Sequence, residues 1–228
     1  GVQALGSERV RVLRYEKPFN FSAMNNLAAK EARGEYLLLL NNDTAVLEPD
    51  WLDEMMSHAQ RPEVGVVGAR LLFPNRLVQH AGVVLGMGIY AVADHPFIGF
   101  PAEDPGYWGR LELTQNYSAV TAACLVVRKA LYDEMGGLEE KDFKVLYNDV
   151  DFCLKVREKG YLAVWTPHAT LLHEGTASQR KGLEARPDEA KLERIGAEQG
   201  AMWKKWLPQL ANDPAFNPNL SLRARAMV

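Results

Sequence analysis

The sequence predicts an α/β fold: a mixed, mostly parallel sheet flanked by helices, with a C-terminal helical extension. Near-continuous apolar runs of strand length, YLLLL at 36–40 and VGVVGAR at 64–70, alternate with amphipathic segments of helical length. Strands apolar on both faces belong to sheets covered by helices on each side. Caps and glycine stops fall at the junctions, so local signals agree with the hydrophobic pattern. With 228 residues, 47% of them hydrophobic, the chain can bury one core.

In chain order, residues 10–15 (VRVLRY) read as a short strand. A helix follows, with Asn20 as cap, Phe19 and Met24 as a hydrophobic staple, Leu27 and Glu31 on one side, and Gly34 as its stop. The leucine run is the next strand, expected to be buried on both faces. It ends abruptly in Asn41, Asn42 and Asp43, and in such sheets ligands bind beyond the carboxyl ends of the strands. A helix from about Pro49 to His58 leads into the strand at 64–70. Beyond it, two apolar segments flank Pro74 and Asn75 as in a hairpin. Residues 94–118, rich in Gly, Pro and aromatics, read as a loop over the site. AVTAACLVVRKALYDEMGG reads as strand into helix, stopped by Gly136 and Gly137. YNDVDFCLKVREKGY is a helix capped near Asn148, with Asp151 in the capping-box position; this leaves Asp149 free, since adjacent helical residues point about 100° apart. LAVWT and TLLHEG are strand segments. Leu192, Ile195, Gln199, Met202, Trp203 and Trp206 recur at helical spacing and form a docking face.

A net charge of −3 and the lack of a long Lys/Arg run argue against nucleic acid as a partner. Cys124 and Cys153 lie among apolar residues, far apart, and read as buried free thiols, which favours a reducing, cytoplasmic setting. AGVVLGMGIYAVA at 81–93 is short of the ~20 residues of a membrane span, and the start lacks the pattern of a signal peptide.

Three polar clusters close apolar segments: Asn41 to Asp43, Asn148 with Asp149 and Asp151, and His173 with Glu174. Taken singly, each has an ordinary explanation as a turn, a cap or a structural histidine. His173-Glu174 also begins H-E-x-x-H, but Ala177 stands where the second histidine belongs, which excludes zinc-protease chemistry. GMGIYA at 86–91 matches G-x-G-x-x-A, yet a helix from there would meet His95-Pro96 within a turn or two.

Together, FSAMNNLAAKEARGEYLLLLNNDT, VQHAGVVLG, AVTAACLVVRKALYDEMGGLEE, YNDVDFCLKVREKGY, TPHATLLHEGTASQR and DPAFNPNLSL resemble the family 2 glycosyltransferases of the GT-A fold, particularly the bacterial group that builds surface polysaccharides. The segments run in the family's order over residues 19 to about 222. The resemblance implies transfer of a sugar, with inversion, from a nucleotide-diphosphate sugar to a saccharide or lipid-linked acceptor. Asp43 then takes the metal-binding place of the strand-end D-x-D signature, with Mn²⁺ or Mg²⁺ as cofactor, and His173 is a further metal contact. Asp149 takes the place of the catalytic base. Asn26, Asn41 and Asn42 fall on the nucleotide-sugar side, and Thr121, Ala122 and Asn148 on the acceptor side. The family pattern opens with a strand and a D-N-x-S segment that hold the nucleoside, and this chain starts after both. The expectation is therefore an N-terminally truncated domain over 1–180, with a helix and tail over 181–228 packed on it, acting in the cytoplasm at the inner face of the membrane.

The chemistry is consistent with that implication. A hard divalent ion on oxygen ligands neutralises the charge that develops on a diphosphate leaving group, and a histidine ligand tilts the choice towards Mn²⁺. An acceptor hydroxyl needs a positioned base. Two rivals stand beside this reading: a non-catalytic saccharide-binding or scaffolding domain with an incomplete donor site, and a nucleotidyltransferase on a similar sheet.

Overall fold

A computed structural model describes residues 10–175 and 189–223. Helix α1 (Phe21–Glu31) starts where the sequence says it should: the Asn20 side chain accepts the Ala23 N–H at 3.0 Å, satisfying one of the orphan donors of the first turn. The face it buries differs from expectation. Ser22, Asn26 and Ala29 point inward, whereas Phe19, Met24 and Leu27 are exposed.

Strands β1 (Tyr36–Leu40) and β2 (Thr44–Val46) follow, then α2 (Trp51–Ala59), β3 (Val64–Leu72) and β4 (Val78–His80). A small two-stranded sheet, β5 (Val84–Leu85) with β6 (Ala93–Asp94), precedes β7 (Gln115–Tyr117) and β8 (Cys124–Arg128). Helices α3 (Lys129–Glu134) and α4 (Asn148–Glu158), strand β9 (Leu162–His173) and helix α5 (Glu189–Ala211) complete the order.

Among the described residues the main sheet runs β1-β8-β3-β9-β2, with β4 on β3 and β7 on β9. It is mixed and flanked by helices, but not mostly parallel as expected: among the described strands of this sheet only β3 with β9 pairs parallel. β1, β3 and β9 point the same way, but β8 inserts antiparallel between β1 and β3, leaving β3 with β9 as the parallel neighbours. The expected hairpin around Pro74 and Asn75 is β3 with β4.

Two strand expectations are corrected. Residues 10–15 form no strand, and Val10, Val12 and Leu13 are exposed. The leucine run alternates instead of being buried throughout: Leu37 and Leu39 are buried, while Leu40 is 43% exposed. β1 pairs with β8 on one side and with no described strand on the other.

β9 spans the sheet by changing phase. Its register to β3 jumps between Thr166 and Thr170, and the bulge is closed internally by Thr170 Oγ1 donating to the Pro167 carbonyl at 2.9 Å and His168 N–H donating to Thr166 Oγ1 at 3.2 Å. This lets Trp165 sit fully in the core while His173 reaches the carboxyl edge.

Helix α5 docks through Glu198, Met202, Trp206 and Leu210, one residue every turn. Leu192 and Trp203 are exposed instead, because the buried stripe carries a charge: Glu198 accepts the N–H groups of Val145 and Leu146 at 3.2 and 2.8 Å. Past the helix, Asp213 Oδ2 accepts the Leu85 N–H at 2.7 Å. No described helix is long and apolar enough to cross a membrane.

Candidate active site

Three chain segments meet at the edge where β1 and β9 end. The Asn41 N–H donates to the Ala123 carbonyl at 3.0 Å, which sets the Asn-Asn-Asp turn against the start of β8. β2 then pairs antiparallel with β9, placing Thr44 opposite His173. Asp43 Oδ1 consequently lies 3.1 Å from His173 Nε2, and Asp43 Oδ2 accepts the Gly175 N–H at 3.1 Å.

The state of the His173 ring follows from its neighbours. Gln79 donates from Nε2 to the His173 carbonyl at 3.2 Å, which turns its Oε1 towards His173 Nδ1 at 2.6 Å. Nδ1 is therefore the protonated nitrogen. Burial pulls the His173 pKa below its ordinary value, against the opposing influence of Asp43. In the neutral ring Nε2 keeps a lone pair, which the Asn41 amide meets at 3.2 Å and would release to a bound ion. A carboxylate oxygen and an imidazole lone pair thus face one another, an arrangement stabilised by a cation between them.

The residues fit a divalent ion. The 3.1 Å spacing matches two adjacent ligands at about 2.1 Å from an octahedral ion. Gln79 supplies the outer hydrogen bond that metal-binding histidines ordinarily have. No group of three His, Cys, Asp or Glu is clustered among the described residues, so at most two side chains of these types would ligate.

Asp149 stands at the start of α4. Its Oδ2 accepts the Ala122 N–H at 3.1 Å and its Oδ1 the Val150 N–H at 2.9 Å. Both oxygens are aimed by backbone donors, and the side chain is half-buried. A cleft of about 200 Å³ is bordered by Gln79, His80, His95, Thr121, Ala123 and His173; Asp43 reaches its edge through His173, and Asp149 through the Ala122 N–H, between the cleft-lining Thr121 and Ala123.

Several expected site residues stand elsewhere. Asn26 is buried and fully engaged: Nδ2 donates to the Leu138 carbonyl and Glu140 Oε1, each at 2.8 Å, while Oδ1 accepts from Tyr132 Oη at 2.6 Å and Leu138 N–H at 2.9 Å. It ties α1 to the turn after α3. Gly137 is required there, because a Cβ would come within 2.3 Å of Asn26 Oδ1. Asn26 thus has no hydrogen-bonding capacity left for a nucleotide. Asn148 is also buried, with Nδ2 donating to the Val145 carbonyl at 2.9 Å, so it braces the turn before α4 rather than an acceptor. Nor is it the helix cap, which is Tyr147 in a left-handed conformation at φ 60°. Ala122 reaches the site through its backbone. Asn42 is exposed, with no side-chain hydrogen bond among the described residues.

Asp151 is not a capping residue. Fully buried, it receives Lys205 Nζ at 2.6 Å and the Trp206 indole N–H at 2.8 Å on Oδ1. Sequence reasoning assigned no role to Gln79, His80 or His95. The signal was present for the first two, since Gln79-His80 closes an apolar segment as Asn41-Asp43 and His173-Glu174 do.

Comparison with known proteins agrees with this architecture. Residues 2–135 match the family described as glycosyl transferase family 2. The chain is 49% identical over 227 residues, 99% of its length, to the uncharacterized protein y4gI of Sinorhizobium fredii, and covers 24% of that protein. It is 43% identical over 218 residues, 95% of its length, to the O-antigen biosynthesis protein RfbC of Myxococcus xanthus, and covers 16% of it. It therefore spans a quarter or less of these relatives. Among solved structures, GalNAc-T7 with UDP, GalNAc and Mn²⁺ superposes with a TM-score of 0.56 at 12% identity, covering 72% of this chain and 31% of that one, a likeness of fold. By its sequence match over more than half its length and by its GT-A architecture, the chain belongs to glycosyl transferase family 2.

Proposed function

We propose that the chain transfers a sugar, with inversion, from a nucleotide-diphosphate sugar to a saccharide or lipid-linked acceptor in cell-surface polysaccharide synthesis, in the cytoplasm at the inner face of the membrane. The observation that carries this reading is the convergence of Asp43 and His173 at 3.1 Å, at a small cleft whose Thr121-Ala123 wall also carries, through the Ala122 N–H, the carboxylate of Asp149. Family membership and the O-antigen relative support the reaction class, and the Mn²⁺ bound in GalNAc-T7 supports a divalent ion.

Asp43 and His173 would hold Mn²⁺ or Mg²⁺, which when bound neutralises the developing charge on the diphosphate. Asn41, freed from the imidazole by the ion, borders the donor side together with Asn42. Asp149 takes the proton from the acceptor hydroxyl as it attacks opposite the leaving group. The Thr121-Ala122 turn holds that base in place through the Ala122 N–H, which is the sense in which these residues serve the acceptor side.

Incubating the chain with a panel of sugar nucleotides, Mn²⁺ and saccharide acceptors tests the reading. Release of nucleoside diphosphate is expected. Binding of saccharide without turnover would favour a scaffolding domain, and release of pyrophosphate would favour nucleotidyl transfer.

A further inference from the structure

His80 and His95 also border the cleft, and the proposed transfer does not use them. His80 ends β4 and is 1% exposed; its Nδ1 lies 2.9 Å from His95 Nδ1, with the rings edge to face. Across the His80 ring, Nε2 faces the Thr121 N–H at 3.4 Å. A backbone amide only donates, so His80 Nε2 carries the lone pair. Burial keeps His80 neutral, with its pKa well below the ordinary value, and its proton is therefore on Nδ1, donating to His95.

His95 Nδ1 is then an acceptor, and the His95 proton sits on Nε2. The competing contact, His95 Nδ1 with the Gly82 carbonyl at 3.3 Å, would need His80 to turn an N–H against that of Thr121, two donors facing each other in a buried place. Gly82 holds the geometry: its φ is +91° and a Cβ would meet the Tyr117 ring at 2.4 Å, so the chain turns back tightly after His80. His95 Nε2 has no hydrogen-bond partner among the described residues, and the ring is half-buried at the cleft wall.

The cleft lining has a chemical character of its own. Leu71, Phe73 and Ile98 supply apolar surface, and among the described residues no Lys or Arg lines the pocket. A volume of about 200 Å³ is below the ~300–1,000 Å³ of drug-sized sites. Away from the His173 edge, where the ion and diphosphate would sit, apolar walls with fixed neutral donors suit the C–H faces and hydroxyls of a sugar ring. We infer that this cleft seats a single pyranose ring, and that the Nε2–H of His95 donates to one of its hydroxyl oxygens and so selects the sugar. This rests on the transfer reading above and adds the residue that reads the sugar.

Histidine ¹⁵N–¹H long-range correlation spectra of the 228-residue chain test it, with UDP, GDP, UDP-glucose, UDP-galactose and GDP-mannose as probes in Mg²⁺. Expected are an Nδ1–H tautomer for His80, an Nε2–H tautomer for His95, and a His95 shift on adding a sugar nucleotide but not its parent diphosphate. In turnover, His95→Phe should reduce the preference between the best sugar and its epimer about tenfold, while His95→Gln, which keeps a donor, retains most of it. The opposite tautomers, or a His95 shift as large with UDP or GDP alone, overturn the inference. A His173 response to diphosphate with no His95 response to any sugar overturns it while leaving the transfer reading intact. Absence of any nucleotide response at His173 removes both.

Discussion

Thr44 and His173 are register partners across the β2–β9 ladder, and this pairing brings the Asp43 carboxylate to 3.1 Å from the His173 imidazole. Asp43 sits in the turn immediately before β2, so the ladder that begins one residue later fixes where it emerges.

Asp43→Asn should weaken Mn²⁺-dependent binding of nucleoside diphosphate about tenfold or more, with a change in melting corresponding to about 1 kcal/mol for the altered Gly175 contact. His173→Ala should act in the same direction more mildly. Calorimetry with and without Mn²⁺ measures both, and unchanged Mn²⁺ dependence in Asp43→Asn would show the site to be misplaced.

Asp149→Asn should lower turnover by about 10² to 10⁴, the loss expected for a positioned base. Donor affinity should hold, because Asp149 makes its hydrogen bonds to Ala122 and Val150 and none to Asp43 or His173. One backbone N–H, that of Ala122 or Val150, would face the amide nitrogen, so a modest fall in melting temperature is expected alongside. Near wild-type steady-state rates would remove Asp149 from the role.

Asp151→Asn should destabilise the fold by about 1.5–3 kcal/mol, the range for a buried hydrogen bond to a charged group. This exceeds what a capping residue would cost. Trp206→Phe removes the indole donor to the same oxygen, and the double variant should cost less than the sum of the singles, since they share one interaction. Additive urea-unfolding energies would contradict the tie between α4 and α5.

Stability should fall at both ends of the pH range. His80 has a folded pKa well below its ordinary 6.5, so the unfolded chain binds a proton that the folded chain refuses; its contribution is full above about 6.5 and is lost as pH falls. Cys124 and Cys153 are pushed up by burial from 9.0 to about 12. Between those values the folded chain keeps protons that the unfolded chain releases, so stability is full below about 9 and declines towards 12, by up to about 1.4 kcal/mol per pH unit for each thiol. Urea titrations at pH 5, 7.5 and 10 check both limbs, and equal stability at all three would refute them.

Local chemistry was legible in the sequence where the partner lies nearby. Asn20 caps α1, Gly136 and Gly137 adopt the positive φ that ends α3, and the hairpin at Pro74-Asn75 forms. Where the partner is distant, the sequence misled. Asp151 stands three residues after Asn148 and looks like half of a capping box, yet it serves Lys205 and Trp206. Asn26 resembles a ligand contact but is occupied by Leu138 and Tyr132, which only the packing of α1 on the turn after α3 brings near. The four leucines could not reveal that β1 lacks a described neighbour on one side. Polar ends of apolar strands did mark Asp43 and His173, while the same signal at Gln79-His80 went unread because neither residue is a carboxylate.

Asp149 and Asp151 are two residues apart on one helical turn, one bonded to the Thr121-Ala122 turn beside the cleft and the other to α5. Any change that loosens α5 therefore moves the turn carrying the proposed base. In a saturation screen scored by product formation, Trp206 and Lys205 would register as if they touched the substrate, though neither lines the cleft. Only a parallel screen for protein abundance would sort such supporting positions from residues that meet the sugar.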